Sequence, residues 1–459
     1  MPESTTSSKT ITRTLTRGAT RPTVALTTLG CKLNQAETEQ IARGFASAGF
    51  AVVDSSFPAD VYVVNTCTVT HVADRKSRQI IRQSRRLNPS ALVVVTGCYA
   101  NVSAEEIRAI DSQDPAVSGS LLVVPNEHKH DVVEIVARKM GRRYRREHDA
   151  CPYPLDQASQ RAHRTRAFVK IHDGCNQFCT YCIVPFARGP ARSAPARVII
   201  ESINDLHTAG FKEVVLTGVH IGAYGHDLQG DDRRSLGDLV KAALDHTSIP
   251  RIRLSSIEPQ DFDEAVLDLW TSSRLCRHLH LPLQSGCDSV LRRMGRPYTA
   301  EQFQRTVDKI RARIPEVAIT TDIIVGFPGE TDEEFKRTYD FAEEVAFAGI
   351  HVFKYSARKG TLAAELPNQV PYEVKKERSD GLIRLAQDSA LKFASSFVGK
   401  TVDVLYESQI ENGSRGPEWE GLTDNYLRVV SPFSTDLTNE IVSTRLIKLS
   451  EADLIGEIQ

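Results

Sequence analysis

At 459 residues the chain exceeds one ordinary compact core and should fold as roughly three domains. Its 57 Lys and Arg against 58 Asp and Glu leave a formal charge of -1, which excludes a uniform polycation and confines any nucleic-acid surface to local patches. Hydrophobic residues at 41% and charged residues at 25% exclude a disordered chain, and nine thinly spread cysteines fit reduced thiols rather than a disulfide scaffold.

In chain order, residues 1–20 are rich in Ser and Thr, lack an apolar segment, and read as a disordered tail rather than a secretory signal. No run approaches the roughly 18 apolar residues a membrane helix needs, so a soluble, cytoplasmic protein with no membrane partner is expected. Between residues 21 and 138, VALTTLG, VYVVNTC and LVVVTGC read as buried strands separated by helical periodicity. That order predicts an α/β domain with an open parallel sheet and crossover helices. Cys31, Cys67 and Cys98 stand just past the carboxyl ends of these strands, where such sheets carry their functional crevice. Three thiols from three strands should therefore converge.

Residues 139–165 read as a basic linker, because Lys139 to Lys170 holds nine Lys or Arg against three Asp or Glu around the aperiodic CPYPLDQASQ. Between 166 and 395, six strand-like segments, AFVKIHDG, EVVLTGVHIG, RIRLSS, HLHLPLQ, AITTDIIVGFPG and GIHVFKYS, are mostly followed by helix-compatible runs. They predict a partial (β/α) barrel with its chemistry at the strand C-termini. From 396 to 459, TVDVLYE, NYLRVV and EIVSTRLIKL, separated by turn residues, predict a small β-barrel like the compact oligonucleotide-binding folds. This last segment has five Lys or Arg against eleven Asp or Glu, a balance of -6, and is a poor phosphate clamp unless its cations share one face. Arg75, Lys76, Arg78, Arg82, Arg85 and Arg86 fall within twelve residues free of acid, and suit either phosphate tracking or a solvated helix face.

The strongest local signal is Cys175, Cys179 and Cys182 in GCNQFCTYCIVPF, on a loop just after AFVKI. Spacings this tight let one turn wrap three thiolates around one metal centre, and soft thiolates select iron-sulfur clusters or zinc. A zinc site would need a fourth ligand such as His172 or Cys151, and would make the chain a noncatalytic zinc-bound RNA-binding protein. A cluster held by three cysteines instead leaves one iron open, as a reactive centre requires.

This Cx3Cx2C loop, with Tyr181 before its last cysteine and six strand-helix units around it, resembles the radical S-adenosylmethionine superfamily. TLGCKLNQAETEQ, VVNTCTVTHVADRKSRQIIR and VTGCYA further resemble the N-terminal domain of the methylthiotransferases. The likeness runs through CNQFCTYCIVPFARGPARS, VVLTGVHIGAYG, IRLSSIEP, HLPLQSG, TDIIVGFPGET and YSARKGT to a TRAM-like end. The resemblance implies two [4Fe-4S] clusters, an auxiliary one on Cys31, Cys67 and Cys98 and a radical-generating one on Cys175, Cys179 and Cys182. It also implies S-adenosyl-L-methionine as methyl donor and radical source, tRNA as partner, and a small redox protein as electron donor. Gly218, Ser256, Glu258, Gln284 and Asp322, all at strand ends, are the cofactor-binding candidates; a strand-end turn for Gly218, a solvated loop pair for Ser256 and Glu258, and a helix cap for Asp322 are the alternatives. Phe186, Arg188 and Arg192 are candidate stacking planes for an RNA base. Cys151, Cys276 and Cys287 match no cluster motif and read as packing thiols.

Within the family, GCKLN followed by Gln35, NTCTVTHVADRKSRQ and YSARKGTLAA resemble the threonylcarbamoyladenosine type, which implies methylthiolation at carbon 2 of that nucleoside next to the anticodon. Isopentenyladenosine in tRNA and an aspartate of a ribosomal protein are the family's other substrates. The acidic C-terminal segment keeps the protein substrate in play, and Ala36 and Thr38 depart from the favoured type.

Overall fold

The structure, a computed structural model, describes residues 21–112, 120–142, 165–230, 233–262, 264–410, 417–451 and 453–459. The N-terminal tail, most of the basic linker and Cys151 lie outside the described residues.

The first unit is a parallel five-stranded sheet of β1 (Thr23–Thr28), β2 (Ala51–Val53), β3 (Val61–Thr66), β4 (Leu92–Gly97) and β5 (Leu121–Val123), in the order β2-β1-β3-β4-β5. Alternate residues serve two cores. Val24, Val61, Val63 and Val94 meet Ile41, Phe45 and Val136 on one face, and Tyr62, Val64, Val93 and Val95 meet Ile81, Tyr99 and Ile107 on the other. Burial on both faces is why β3 and β4 read as unbroken apolar runs. The edge strands β2 and β5 are three residues each, too short to show a period, and were not legible in the sequence.

Three helices follow the central strands: α1 (Lys32–Ser47), α2 (His71–Leu87) and α3 (Cys98–Val102). Gly97, between β4 and α3, has φ 98°, and a Cβ there would lie 2.3 Å from the Thr66 carbonyl oxygen and 2.5 Å from the Thr66 nitrogen. Only glycine lets the two strand ends carrying Cys67 and Cys98 approach this closely. Gly97→Ala is expected to lower stability by about 2–4 kcal/mol in chemical denaturation, from backbone strain and overpacking together. A loss below about 0.5 kcal/mol would mean that the strand ends are free to separate.

The second unit is built on β6 (Arg166–Lys170), the short hairpin β7 (His172–Asp173) and β8 (Arg192–Ser193), then β9 (Glu213–Thr217), β10 (Arg251–Leu254), β11 (His278–His280), β12 (Ala318–Val325) and β13 (Gly349–Lys354). Two parallel sheets, β10-β9-β6 and β11-β12-β13, are joined by parallel bridges from Ile252 to Leu275 and Ser256 to His280. Six parallel strands thus form one partial barrel in chain order, as the six sequence segments predict. Val169, Leu216, Leu254, Leu279 and Ile319 point outward into the helical layer. The alternate positions on the concave side are largely polar, and include Arg166, Lys170, Glu213, Arg253, His278, His280, Asp322 and His351.

A closed five-stranded barrel ends the chain: β14 (Thr401–Ile410), β15 (Glu418–Thr423), β16 (Arg428–Pro432), β17 (Ile441–Ser450) and β18 (Asp453–Ile458). It docks at the N-terminal ends of the partial-barrel strands. Arg166 pairs with Glu407 at 2.7 Å and Arg277 with Asp424 at 2.7 Å, while Arg251 donates to the carbonyls of Leu422 and Asp403. Tyr426, in the turn between β15 and β16, stacks on His278 with ring centroids 4.6 Å apart. Part of the acidic excess of this segment therefore faces arginines of its own chain. Sequence counting could not show this, because the paired charges lie more than a hundred residues apart.

Candidate active site

Cys31, Cys67 and Cys98 come together at the carboxyl edge of the first sheet, as expected from their strand-end positions. A Cβ on Gly30 would lie 2.7 Å from the Cys67 Cβ and 2.9 Å from its Sγ, so the Cys31 loop rests directly on Cys67. Burial pushes the Cys67 thiol up to about 11, and its neighbours Cys98 and Cys31 push in the same direction. Cys31 is the exposed member. Asn34 holds the loop in place, donating from Nδ2 to the carbonyls of Leu29 at 2.7 Å and Thr66 at 3.1 Å. Asn65 in turn donates to the Asn34 carbonyl at 2.9 Å and to Thr38 Oγ1 at 3.0 Å. The Asn and Thr of NQAETEQ are thus the scaffold of a cysteine loop, and Thr38 has a role that the residue pattern alone did not reveal.

Cys175, Cys179 and Cys182 lie on the loop between β7 and the helix Val184–Arg188. The loop is pinned by backbone bonds from Cys175 to Gly189 at 3.1 Å, from Thr180 to Met294 at 3.0 Å and from Cys182 to Cys179 at 3.0 Å. Burial pushes the Cys182 thiol up to about 12, with Cys179 and Cys175 adding to the effect. Arg296 lies against this loop: its Nη1 donates to Cys179 Sγ at 3.3 Å, its Nη2 to Glu258, and its Nε to the Tyr298 hydroxyl at 3.0 Å. A buried guanidinium beside the thiols favours the thiolate a metal would need. Both triads are soft, convergent donor sets, and their chemistry suits an iron-sulfur cluster better than a hard cation.

A buried ionic network connects the two triads. Glu37 of α1, six residues after Cys31, accepts from Lys129 at 2.6 Å, Lys170 at 2.8 Å and Arg188 at 2.9 Å. Arg188 also donates to Asp173 at 2.9 Å and to the Asn34 side chain. Burial alone would raise the Glu37 carboxyl, but the three cations hold it well below the usual carboxylate range. Arg188, expected as an RNA stacking plane, has its side chain 2% exposed and is fully engaged here; that expectation is corrected. Phe186 and Arg192 do face solvent. A second link runs from Arg358 Nη2, after β13, to Thr68 Oγ1 at 2.8 Å and Asp74 at 2.6 Å, beside Cys67. Glu37, Asn34, Arg296 and Arg358 were not singled out from the sequence, since charged residues in a helix or loop read as solvated until a partner is seen.

The five cofactor candidates occupy the barrel's strand ends with varied surroundings. Glu258 pairs with Arg296 beside Cys179. Ser256 bridges to His280 in the strand ladder. Asp322 lies 3.3 Å from His280 Nε2, on the concave wall with His351. Gln284 has φ 67° and exchanges backbone bonds with β12, through Asp322 and Ile324. The tight approach at Gly218 is to protein: a Cβ would lie 2.8 Å from the Cβ and the carbonyl of His172. Cys276 and Cys287 are buried; burial raises the Cys276 thiol to about 12, and Cys287 belongs to an apolar cluster on which Tyr181 of the second triad's loop packs. On α2, Arg75, Lys76, Arg82 and Arg86 are exposed, whereas Arg85 is buried against the Ile110 carbonyl and Arg78 is held by Tyr99.

Residues 169–342 match the Radical SAM superfamily, and residues 23–119 match the uncharacterized protein family UPF0004. The chain is 40% identical over 433 residues to the threonylcarbamoyladenosine tRNA methylthiotransferase MtaB of Bacillus subtilis, covering 93% of this chain and 94% of that one. The chain belongs to the radical S-adenosylmethionine methylthiotransferase family. Another member, the tRNA-2-methylthio-N(6)-dimethylallyladenosine synthase of Geobacillus thermodenitrificans, is 34% identical over 441 residues, covering 94% of this chain and 82% of its own. The radical S-adenosylmethionine methyltransferase TsrM of Kitasatospora setae shares the fold, with a TM-score of 0.52 at 16% identity over 75% of this chain and 77% of that one. The family's enzymes use S-adenosylmethionine with an iron-sulfur cluster, and this chain does so too. No described helix is long and apolar enough to cross a membrane.

Proposed function

We propose that the protein adds a methylthio group to carbon 2 of N6-threonylcarbamoyladenosine next to the anticodon of tRNA, in the cytoplasm, drawing electrons from a small redox protein. Two [4Fe-4S] clusters serve the reaction, one held by Cys31, Cys67 and Cys98 and the other by Cys175, Cys179 and Cys182. The observation that carries this reading is the pair of convergent thiol triads on two units joined through the buried Glu37–Arg188 network. It is supported by the near full-length likeness to a relative named for this substrate. When bound, the clusters and S-adenosylmethionine supply the radical that removes hydrogen from carbon 2 and the sulfur that replaces it. The chain's own part is positional and electrostatic. Asn34 and Asn65 hold the Cys31 loop on the end of β3, Arg296 sets a positive charge at Cys179, and Glu37 with Arg188 fixes one loop relative to the other. Gly218, Ser256, Glu258, Gln284 and Asp322 line the strand-end region in which S-adenosylmethionine would be held. The exposed cations Arg75, Lys76, Arg82 and Arg86 of α2 suit tRNA phosphates.

Deleting the gene and surveying tRNA nucleosides and ribosomal peptides by mass spectrometry tests the assignment. Loss of 2-methylthio-N6-threonylcarbamoyladenosine, with its unthiolated precursor accumulating, is the expected result. Unchanged levels of that nucleoside, with a methylthio group vanishing from dimethylallyladenosine or from a ribosomal aspartate, would reject it.

A further inference from the structure

We propose that Lys32 is the residue that recognises the carboxylate of the threonylcarbamoyl group and so separates this substrate from a neutral N6-alkyl adenosine. This rests on the substrate reading above and deepens it. Lys32 is the first residue of α1, directly after Cys31. Helix α1 packs along β6 at the open side of the partial barrel, where Lys170 of β6 meets Glu37. From there the Lys32 side chain reaches the concave side, with its Nζ 5.5 Å from the centre of the Tyr426 ring. Tyr426 is the ring stacked on His278, so the ammonium lies over the floor of the barrel, and its field acts on His278 and His351.

The cations around it are already committed. Arg253, 4.4 Å from the same ring, pairs with Glu213 at 2.7 Å, and Arg166 pairs with Glu407 at 2.7 Å. Lys32 alone among these three has no ion pair or hydrogen bond within the described residues, although it is half-buried. Its contact with Tyr426 uses the charge but none of the three ammonium donors. A half-buried ammonium with unused donors is suited to an anion entering the barrel. The exposed His351 and the half-buried His280 stand on the facing wall with a ring separation of 5.7 Å, able to contact the polar groups of the same substituent.

The substrate's chemistry matches this placement. The threonylcarbamoyl group ends in a carboxylate, whereas a dimethylallyl group is apolar and uncharged. On adenine, N6 is carried by carbon 6, and carbons 6 and 2 flank N1 on one edge of the ring. A group that grips the N6 substituent must therefore stand close to the group that delivers sulfur to carbon 2. Cys31 and Lys32 are consecutive residues, so their side chains start from Cα atoms about 3.8 Å apart, at the junction between the first thiol loop and the barrel. A neutral substituent would leave the ammonium desolvated and unpaired, which penalises the wrong substrate as well as favouring the right one.

The test uses reconstituted full-length enzyme and two anticodon stem-loop RNAs, one with N6-threonylcarbamoyladenosine as the free acid and one with its methyl ester, with a dimethylallyladenosine stem-loop as a third substrate for the wild type. Wild type should prefer the acid in kcat/KM by about 10- to 100-fold, the range of a charge-assisted contact. Lys32→Gln should lose that preference by falling on the acid alone, and Lys32→Arg should retain most of it. Fluorescence anisotropy of both RNAs on the same variants gives the ratio of affinities even where turnover is absent. An unchanged acid-to-ester ratio in Lys32→Gln, by both measurements, would overturn the inference while leaving the substrate reading intact. Wild-type turnover of dimethylallyladenosine RNA but not of the threonylcarbamoyl RNA would overturn both.

Discussion

Replacing Arg188 by methionine is expected to cost about 3–5 kcal/mol, because it removes the buried guanidinium that Glu37 and Asp173 share and leaves both carboxylates with fewer charged partners. Glu37 has a side chain 6% exposed and Asp173 one 13% exposed, so neither recovers its solvation when the guanidinium is removed. Lys129 and Lys170 remain near Glu37, and they keep the loss at the lower end of this range. The measurement is chemical denaturation of the parent, Arg188→Met, Glu37→Gln and the double variant. Residues in one network do not act independently, so the double variant should be less unstable than the sum of the singles by at least about 1 kcal/mol. Strictly additive losses would mean that Glu37 and Arg188 are merely neighbours. A consequence for function follows from the network's place: it spans α1 and the helix after the second thiol loop, so loosening it should impair sulfur transfer more than it impairs cleavage of S-adenosylmethionine.

Cys31→Ala separates the two triads more sharply. Parent protein purified and reconstituted without oxygen should carry about eight irons with labile sulfide, as two cubane clusters require. The variant should keep about four, still cleave S-adenosylmethionine, and form no methylthiolated product. Cys31 is the exposed member of its triad, so its loss costs little packing and the variant should remain folded. Cys179→Ala should instead abolish cleavage. Stoichiometric zinc in place of iron in the parent would refute the cluster assignment altogether, and loss of cleavage in a folded Cys31→Ala protein would refute the division of labour between triads.

Much of the architecture was legible because its signals are local. β3 and β4 each open with four consecutive apolar residues, the six barrel segments are mostly separated by helix-compatible runs, and both cysteine triads sit at strand ends or within one short loop. The short β2 and β5, and the β7–β8 hairpin beside the second triad, were not legible, since two or three residues carry no periodicity and their pairing partners are distant. Arg188 shows the same limit in a single side chain. In sequence it is a cation after an aromatic residue, and reads as a base-stacking plane; only folding brings it to Glu37, 151 residues away.

Local pattern was enough to place three thiols at strand ends and three on one loop, and to read a parallel sheet, a partial barrel and a small β-barrel, because hydrophobic periodicity and ligand spacing act over a few residues. How these parts face each other became visible only in the folded chain. Which charges are paired, as with Glu37, Arg188, Arg296 and Asp424, and which has no ionic partner among the described residues, as with Lys32, depends on contacts between segments far apart in the chain. A charge acquires its energetic meaning from the partner and the solvent it loses on folding, and neither is written in its neighbours along the sequence.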